Sequence, residues 1–229
     1  MIAAIRPRRD ARRPVRRARL VTALLVLGFV SSRPLVAQSA VVLSAGAEVL
    51  TMHVARDRPA ARAYAGPVLG AFGGIGYRKL EVEGHYAEGS LSPESGTIGG
   101  NEDFADGALQ LRVRVLPWLA IGAGPHLRAF ITPAGTARWT RMEAHARAEG
   151  ELIAGVAQLQ VEGWYALSAE TNVQGGGSGA MGGEAGLTVK LPRVPVSLRL
   201  TYIADRATFK GGGAEFVDGL RLGFVFDRF

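Results

Sequence analysis

In the segment TRMEAHARAEGEL, residues 140–152, the charged and ionisable residues fall on every second position: Arg141, Glu143, His145, Arg147, Glu149 and Glu151. A composition rich in Ala, Glu and Arg suits a helix, and Glu143 and Arg147 stand at the spacing of a helical ion pair. Wound as a helix, however, the segment spreads charge around its whole circumference and leaves no apolar stripe to bury. Run as a strand, it has one charged face and one face of Met142, Ala144, Ala146, Ala148, Gly150 and Leu152. The segment reads as a strand, and it narrows the fold of the whole chain.

The same period of two recurs along the sequence. LQLRVRV sets Leu109, Leu111, Val113 and Val115 against Gln110, Arg112 and Arg114. AQLQVEGWYAL sets Leu159, Val161, Gly163, Tyr165 and Leu167 against Gln158, Gln160, Glu162 and Trp164. VSLRLTYIAD and LEVEGHY alternate likewise. Ten strands follow, at about 41–53, 64–77, 79–89, 104–116, 118–131, 137–151, 156–168, 181–191, 195–206 and 216–228. Short connections alternate with longer polar ones: ARDRPAARA, GSLSPESGTIGGNED, TPAGTA, AETNVQGGGSGA and RATFKGGGA. Tight turns at one end and longer loops at the other describe an up-and-down meander. Both termini then lie at the short-turn end, so the first and last strands can pair and remove the sheet's edges. The expected fold is all-β, a closed antiparallel up-and-down barrel of about ten strands, or eight if one weak hairpin is lost.

Charge does not point to nucleic acid. The chain is basic, with 27 Lys and Arg against 20 Asp and Glu, but residues 1–37 hold nine Arg and a single acid, Asp10. Residues 38–229 carry 18 basic and 19 acidic groups. The basic leader runs into LVTALLVLGFV, an apolar run of eleven, then SSRPLVAQSA, with Leu35 and Ala37 at the −3 and −1 positions of an export cleavage site. Eleven apolar residues are too few to span a bilayer as a helix. Residues 1–37 are therefore expected to be a signal peptide cleaved near Ala37, and 38–229 a single barrel domain. With no Cys, the exported chain has no disulfide, no thiolate metal site and no lipid-attachment site.

Alternation does not by itself say which face is inside. A soluble periplasmic ligand-binding barrel buries its apolar face, whereas a membrane barrel turns that face to lipid. Three features favour the membrane. Strands of eleven to fifteen residues exceed the usual soluble length and suit a tilted crossing. The apolar face is rich in small residues such as Ala45, Ala47, Ala123, Ala144, Ala146, Ala148, Gly163 and Ala185, which would underfill a packed core. Tyr86, Tyr165 and Tyr202 lie toward the long-loop ends, where an interfacial girdle belongs. Together with the export signal and the terminal Phe229, this pattern resembles the small outer-membrane barrels of Gram-negative bacteria, the OmpA/OmpX class. The resemblance implies location in the outer membrane, the lipid bilayer as partner, and contact with the barrel-assembly machinery through the C-terminal strand ending at Phe229. In LRLGFVFDRF the outward Leu220, Leu222, Phe224 and Phe226 are out of phase with Phe229, so that assembly signal requires a bulge at Asp227–Arg228.

In this register the lumen receives Glu81, Glu83, His85, Arg112, Arg114, His126, Arg128, Arg141, Glu143, His145, Arg147, Glu149, Glu162, Glu184 and Arg199. Glu48, Asp106, Glu151, Lys190, Asp205 and Arg221 join them. The signs are balanced and interleaved, and a narrow barrel has room for little beyond side chains. Buried charges there must pair, which predicts a filled lumen crossed by ion pairs, and a lumen without one dominant sign argues against a wide selective pore. The inward histidines stand beside acids, as a general base or metal ligand does. No Ser lies two residues from any of them, and the Gly-rich runs lack the Lys-Ser/Thr of a phosphate loop. Membership of the lumen network is the economical reading: no catalytic residue, no cofactor, no metal. The expected function is a structural or adhesive outer-membrane barrel acting through surface loops, whose ligand the sequence does not name. An outer-membrane enzyme, a small-solute pore and a soluble periplasmic barrel are the alternatives.

Overall fold

The computed structural model describes residues 41–57 and 61–228. The segment expected to be a signal peptide, its expected cleavage point near Ala37, and Phe229 lie outside the described residues. Ten strands form one sheet: β1 (Val41–Arg56), β2 (Arg62–Tyr77), β3 (Leu80–Pro93), β4 (Glu102–Leu116), β5 (Leu119–Thr132), β6 (Gly135–Ile153), β7 (Ala157–Thr171), β8 (Gly177–Lys190), β9 (Val196–Phe209) and β10 (Ala214–Arg228). Each pairs antiparallel with its sequence neighbours, and β1 pairs with β10, closing the barrel. The count is ten, not eight. The opening segment lies wholly within β6, which pairs with β5 through Ala120↔Arg147 and with β7 through Arg147↔Glu162.

The strands are longer than the alternation alone suggested, at 14 to 19 residues. Fourteen residues at about 3.3 Å each reach roughly 46 Å, or about 33 Å along the axis of a barrel whose strands tilt by about 45°. That exceeds the apolar band of about 25 Å on such barrels. The extra length comes mostly from the loop end, where segments expected to be loops continue as paired strand. The connections there shrink to 57–61, 94–101, 133–134, 172–176 and 210–213, of which only 94–101 exceeds five residues. Several glycines in segments expected to be loops lie inside strands, where a neighbouring group occupies the place of a side chain. At Gly177 a Cβ would come within 2.7 Å of the Trp139 ring, so the bare backbone of β8 is the bed on which Trp139 lies.

Register breaks occur near Arg114–Leu116, at Met142/Glu143, at Glu151/Ile153 and at Gly177/Gly179. None occurs at the C-terminal strand. Ser44 pairs with Asp227 and Leu43 with Arg228 without irregularity, so the bulge that the assembly-signal reading required is absent.

The polarity of the wall is inverted relative to a soluble protein. Val49, Leu69, Val82, Leu111, Ile121, Val161, Leu200 and Leu222 lie exposed around the outside, while Glu48, Asp106, Arg112, Arg128, Arg141, Glu143, Arg147, Glu162 and Asp205 are buried within. Outward Tyr86, Tyr165 and Tyr202 mark one rim of the apolar belt, and Tyr77 and Trp118 mark the other. Such a surface is stable only against hydrocarbon, since water would meet a continuous apolar belt far larger than soluble proteins expose.

The interior has two zones. Toward the loop end, Leu50, Met52 and Val54 of β1, Tyr64 and Val68 of β2, Leu91 of β3, Phe104 of β4, Phe130 of β5 and Val217 of β10 pack as one buried apolar cluster. Trp139, Ala166, Ala180, Ala207 and Phe209 form a second on the facing strands. Below them the interior is charged.

Candidate functional site: the barrel lumen

All fifteen residues assigned to the lumen from the sequence lie on the inward face of their strands. The period of two accounts for this, since β3 through β9 each present alternate residues to the interior. Four guanidinium groups organise the middle. Arg141 Nη1 is 2.7 Å from Asp205 Oδ2 and 3.3 Å from Glu143 Oε1, with the Arg141 and Asp205 side chains wholly buried. Arg128 donates to Asp106 at 2.9 Å and to Asp205 at 3.0 Å. Arg147 lies 2.6 Å from Glu162 and 3.4 Å from Glu83. Arg112 lies 3.0 Å from Glu83 and 3.1 Å from Glu162, and donates to Gln110. Each guanidinium therefore spans at least two acids, which offsets the several kcal/mol that an isolated buried ion costs.

Three histidines thread through this net, each between two carboxylates. His85 Nε2 is 3.1 Å from Glu48 Oε1, and its Nδ1 is 3.8 Å from Asp106 Oδ1. His126 sits 2.9 Å from both Asp106 and Glu143. His145 is 2.8 Å from Glu162 and 3.4 Å from Glu143. The result is an unbroken alternation of acid and imidazole, Glu48–His85–Asp106–His126–Glu143–His145–Glu162, carried by β1 and β3 to β7. Around it lies a cavity of about 90 Å³, whose lining includes Phe72, Arg199, Trp164 and Arg221.

The net thins toward the short-turn end. Arg114 meets Glu149 at 3.3 Å with both partly exposed, and Glu184 takes bonds from Gln160 and Arg221. Arg199 differs from the rest. Among the described residues no acid lies within bridging distance of it, and its guanidinium rests 5.2 Å from the Phe72 ring centroid.

Some of the interior was not legible in advance. Trp164 Nε1 donates to Asp205 at 3.0 Å, an aromatic recruited into the charge net. Above the apolar cluster, Arg56 lies 2.7 Å from Glu102 and 2.8 Å from Glu215, and 3.9 Å over the Phe130 ring. Arg56 and Glu102 fell in segments read as loops, so no inward phase was assigned to them; the only available signal was that the alternation of their strands extends through them. His53, the fourth histidine, points outward near the loop end, 2.9 Å from Asp218 and 3.3 Å from Glu94.

Among the described residues no Ser, Thr or Tyr hydroxyl bonds to a lumen histidine. Among the same residues no three His, Asp or Glu side chains are grouped to hold a metal ion.

No family model matches the chain, and no curated protein matches it either. Among solved structures it is similar to the translocator domain of the autotransporter NalP from Neisseria meningitidis, at 13% identity over 82% of this chain and 88% of that one, with a TM-score of 0.48. The COG4313 outer-membrane channel from Pseudomonas putida F1 is similar at 10% identity over 83% and 96%, TM-score 0.48. Ail, the attachment invasion locus protein of Yersinia pestis, is similar at 13% over 82% and 100%, TM-score 0.36.

Proposed function

We propose that the chain is a bacterial outer-membrane barrel with a sealed lumen, exported with its leader removed near Ala37, serving a structural or surface-interaction role rather than catalysis or free diffusion of solutes. The observation that carries this reading is the inverted wall: an apolar belt outside, buried paired charges within. The seal has two parts. Guanidinium–carboxylate pairs cross the middle, and the Leu50–Phe104–Phe130 and Trp139–Phe209 clusters close the loop end. Surface contact falls chiefly to residues 94–101, the longest connection at that end. Thr97 pins this loop to the backbone of Ala63 and leaves Ile98 at 90% exposure.

Cell fractionation combined with gel migration before and after boiling tests this directly. The expected result is recovery with the outer membrane, heat-dependent migration, and no steady conductance in planar bilayers. Recovery as a detergent-free soluble protein contradicts the membrane reading; steady conductance by the native barrel contradicts the seal.

A further inference from the structure

The two ends of the barrel differ in how they turn. Among the described residues only two non-glycine positions hold a positive φ, Arg78 at 56° and Arg193 at 69°. Both lie in short-end connections, 78–79 and 191–195. That backbone region favours glycine, because a Cβ crowds the following carbonyl. The chain does use glycine for such turns elsewhere, at Gly96, Gly135, Gly175 and Gly212 among others. Backbone strain retained at an exposed, solvent-facing position needs a reason in the side chain that it presents.

Those side chains share one character. The four short connections, 78–79, 117–118, 154–156 and 191–195, contain Arg78, Lys79 and Arg193 and not one acid. All three cations are exposed, and among the described residues none has an acidic partner. Exposed apolar groups accompany them: Tyr77, Trp118, Ile153, Val156 and Val194. The Arg78 guanidinium lies 5.3 Å from the Tyr77 ring centroid. The Lys79 carbonyl accepts the Arg114 backbone N–H at 2.7 Å, and Arg114 Nη1 donates to the Pro117 carbonyl at 3.0 Å. This links the Arg78–Lys79 turn to the turn that carries Trp118.

We propose that the short-turn rim is a docking surface for anionic phospholipid headgroups, with Arg78, Lys79 and Arg193 taking the phosphates and Tyr77 and Trp118 seated at the headgroup level. The inference rests on the membrane-barrel reading. Basic side chains beside interfacial aromatics are the chemistry that holds an anionic leaflet. A soluble anionic polymer fits less well, because the apolar groups interleaved with the cations would face water when it bound.

Trp118 is a built-in reporter. It is the outward tryptophan, whereas Trp139 is buried in the lumen and Trp164 points inward to Asp205. The test places the folded barrel in vesicles of zwitterionic phosphatidylcholine mixed with phosphatidylglycerol, brominating one lipid at a time, and reads Trp118 quenching. Local enrichment of the anionic lipid by about fivefold is expected from about one effective basic contact, appearing as stronger quenching by brominated phosphatidylglycerol and fading in high salt. A variant carrying Arg78→Gly, Lys79→Ser and Arg193→Gly should be quenched equally by the two lipids while keeping heat-dependent migration, since glycine suits both positive-φ sites. Equal quenching in the native protein overturns the proposal, as does a preference that survives salt or persists in the variant. If neither lipid quenches Trp118, the membrane reading itself has failed, an outcome distinct from quenching without preference.

Discussion

The middle of the lumen and its loop end lie a few strand residues apart, on the same inward faces of the same strands, yet they are built on opposite principles. In the middle, position is dictated by directional bonds: Arg141 to Asp205 and Glu143, Arg128 to Asp106 and Asp205, and His126 between two carboxylates. At the loop end, Leu50, Met52, Phe104 and Phe130 fill space without direction. The first zone fails when one member is removed, because its partners remain buried and charged. The second fails by degrees, in proportion to the volume lost. The comparison explains why the middle accepts so few shapes, and why the loop end can seal the barrel with whatever apolar side chains fit.

The largest expected effect is in the charged zone. Arg141→Met keeps the volume but leaves Glu143 and Asp205 short of a cation, and should cost about 3–5 kcal/mol. Urea titration in vesicles, followed by heat-dependent migration, measures it; a cost below about 1 kcal/mol would mean that the net is not stabilising in the way described. Phe104→Ala comes next, at about 3 kcal/mol from the cavity left against Phe130, whose ring centroid lies 5.4 Å away. This change should also bring intermittent conductance, since it thins the seal. A paired test sharpens the contrast further. Met52→Leu conserves volume in the apolar zone and should cost less than about 1.5 kcal/mol. Arg147→Lys conserves charge in the polar zone but should cost more than Met52→Leu, because an ammonium cannot span Glu162 and Glu83 as the guanidinium fork does. The reverse order would erase the distinction between the zones.

The alternation exposed in β4, β6, β7 and β9 carried nearly all of the architecture, because side-chain direction in a strand depends on parity alone. Strand number, closure, and the inward placement of all fifteen lumen residues follow from it. The lengths did not. Gly89 and Gly177 fall in segments that read as loops, whereas in the barrel they sit where neighbouring backbone leaves no room for a side chain; at Gly89 a Cβ would come within 2.4 Å of the Pro67 carbonyl oxygen. The apolar clusters were missed for a related reason. Once the apolar face of each strand is assigned to lipid, an inward Leu50, Val54 or Phe130 breaks the pattern, and only closure of the barrel shows that these residues meet each other. Pairing partners within the net were beyond the sequence altogether: Arg128 and Asp205 are 77 positions apart and join across the lumen.

The central claim is the inverted wall, and single cysteines along β6 test it most directly, since the native chain has no cysteine to confuse labelling. Cysteine at 144, 146 or 148 should react with a lipid-soluble maleimide and be shielded from a bulky water-soluble one. Cysteine at 143, 145 or 147 should resist both reagents in the folded barrel, because those side chains are buried in the charge net. Reactivity alternating with a period of two, apolar reagent outward, is the result predicted. Reactivity toward the water-soluble reagent at 144, 146 and 148, or a repeat of three to four residues along the strand, would contradict it.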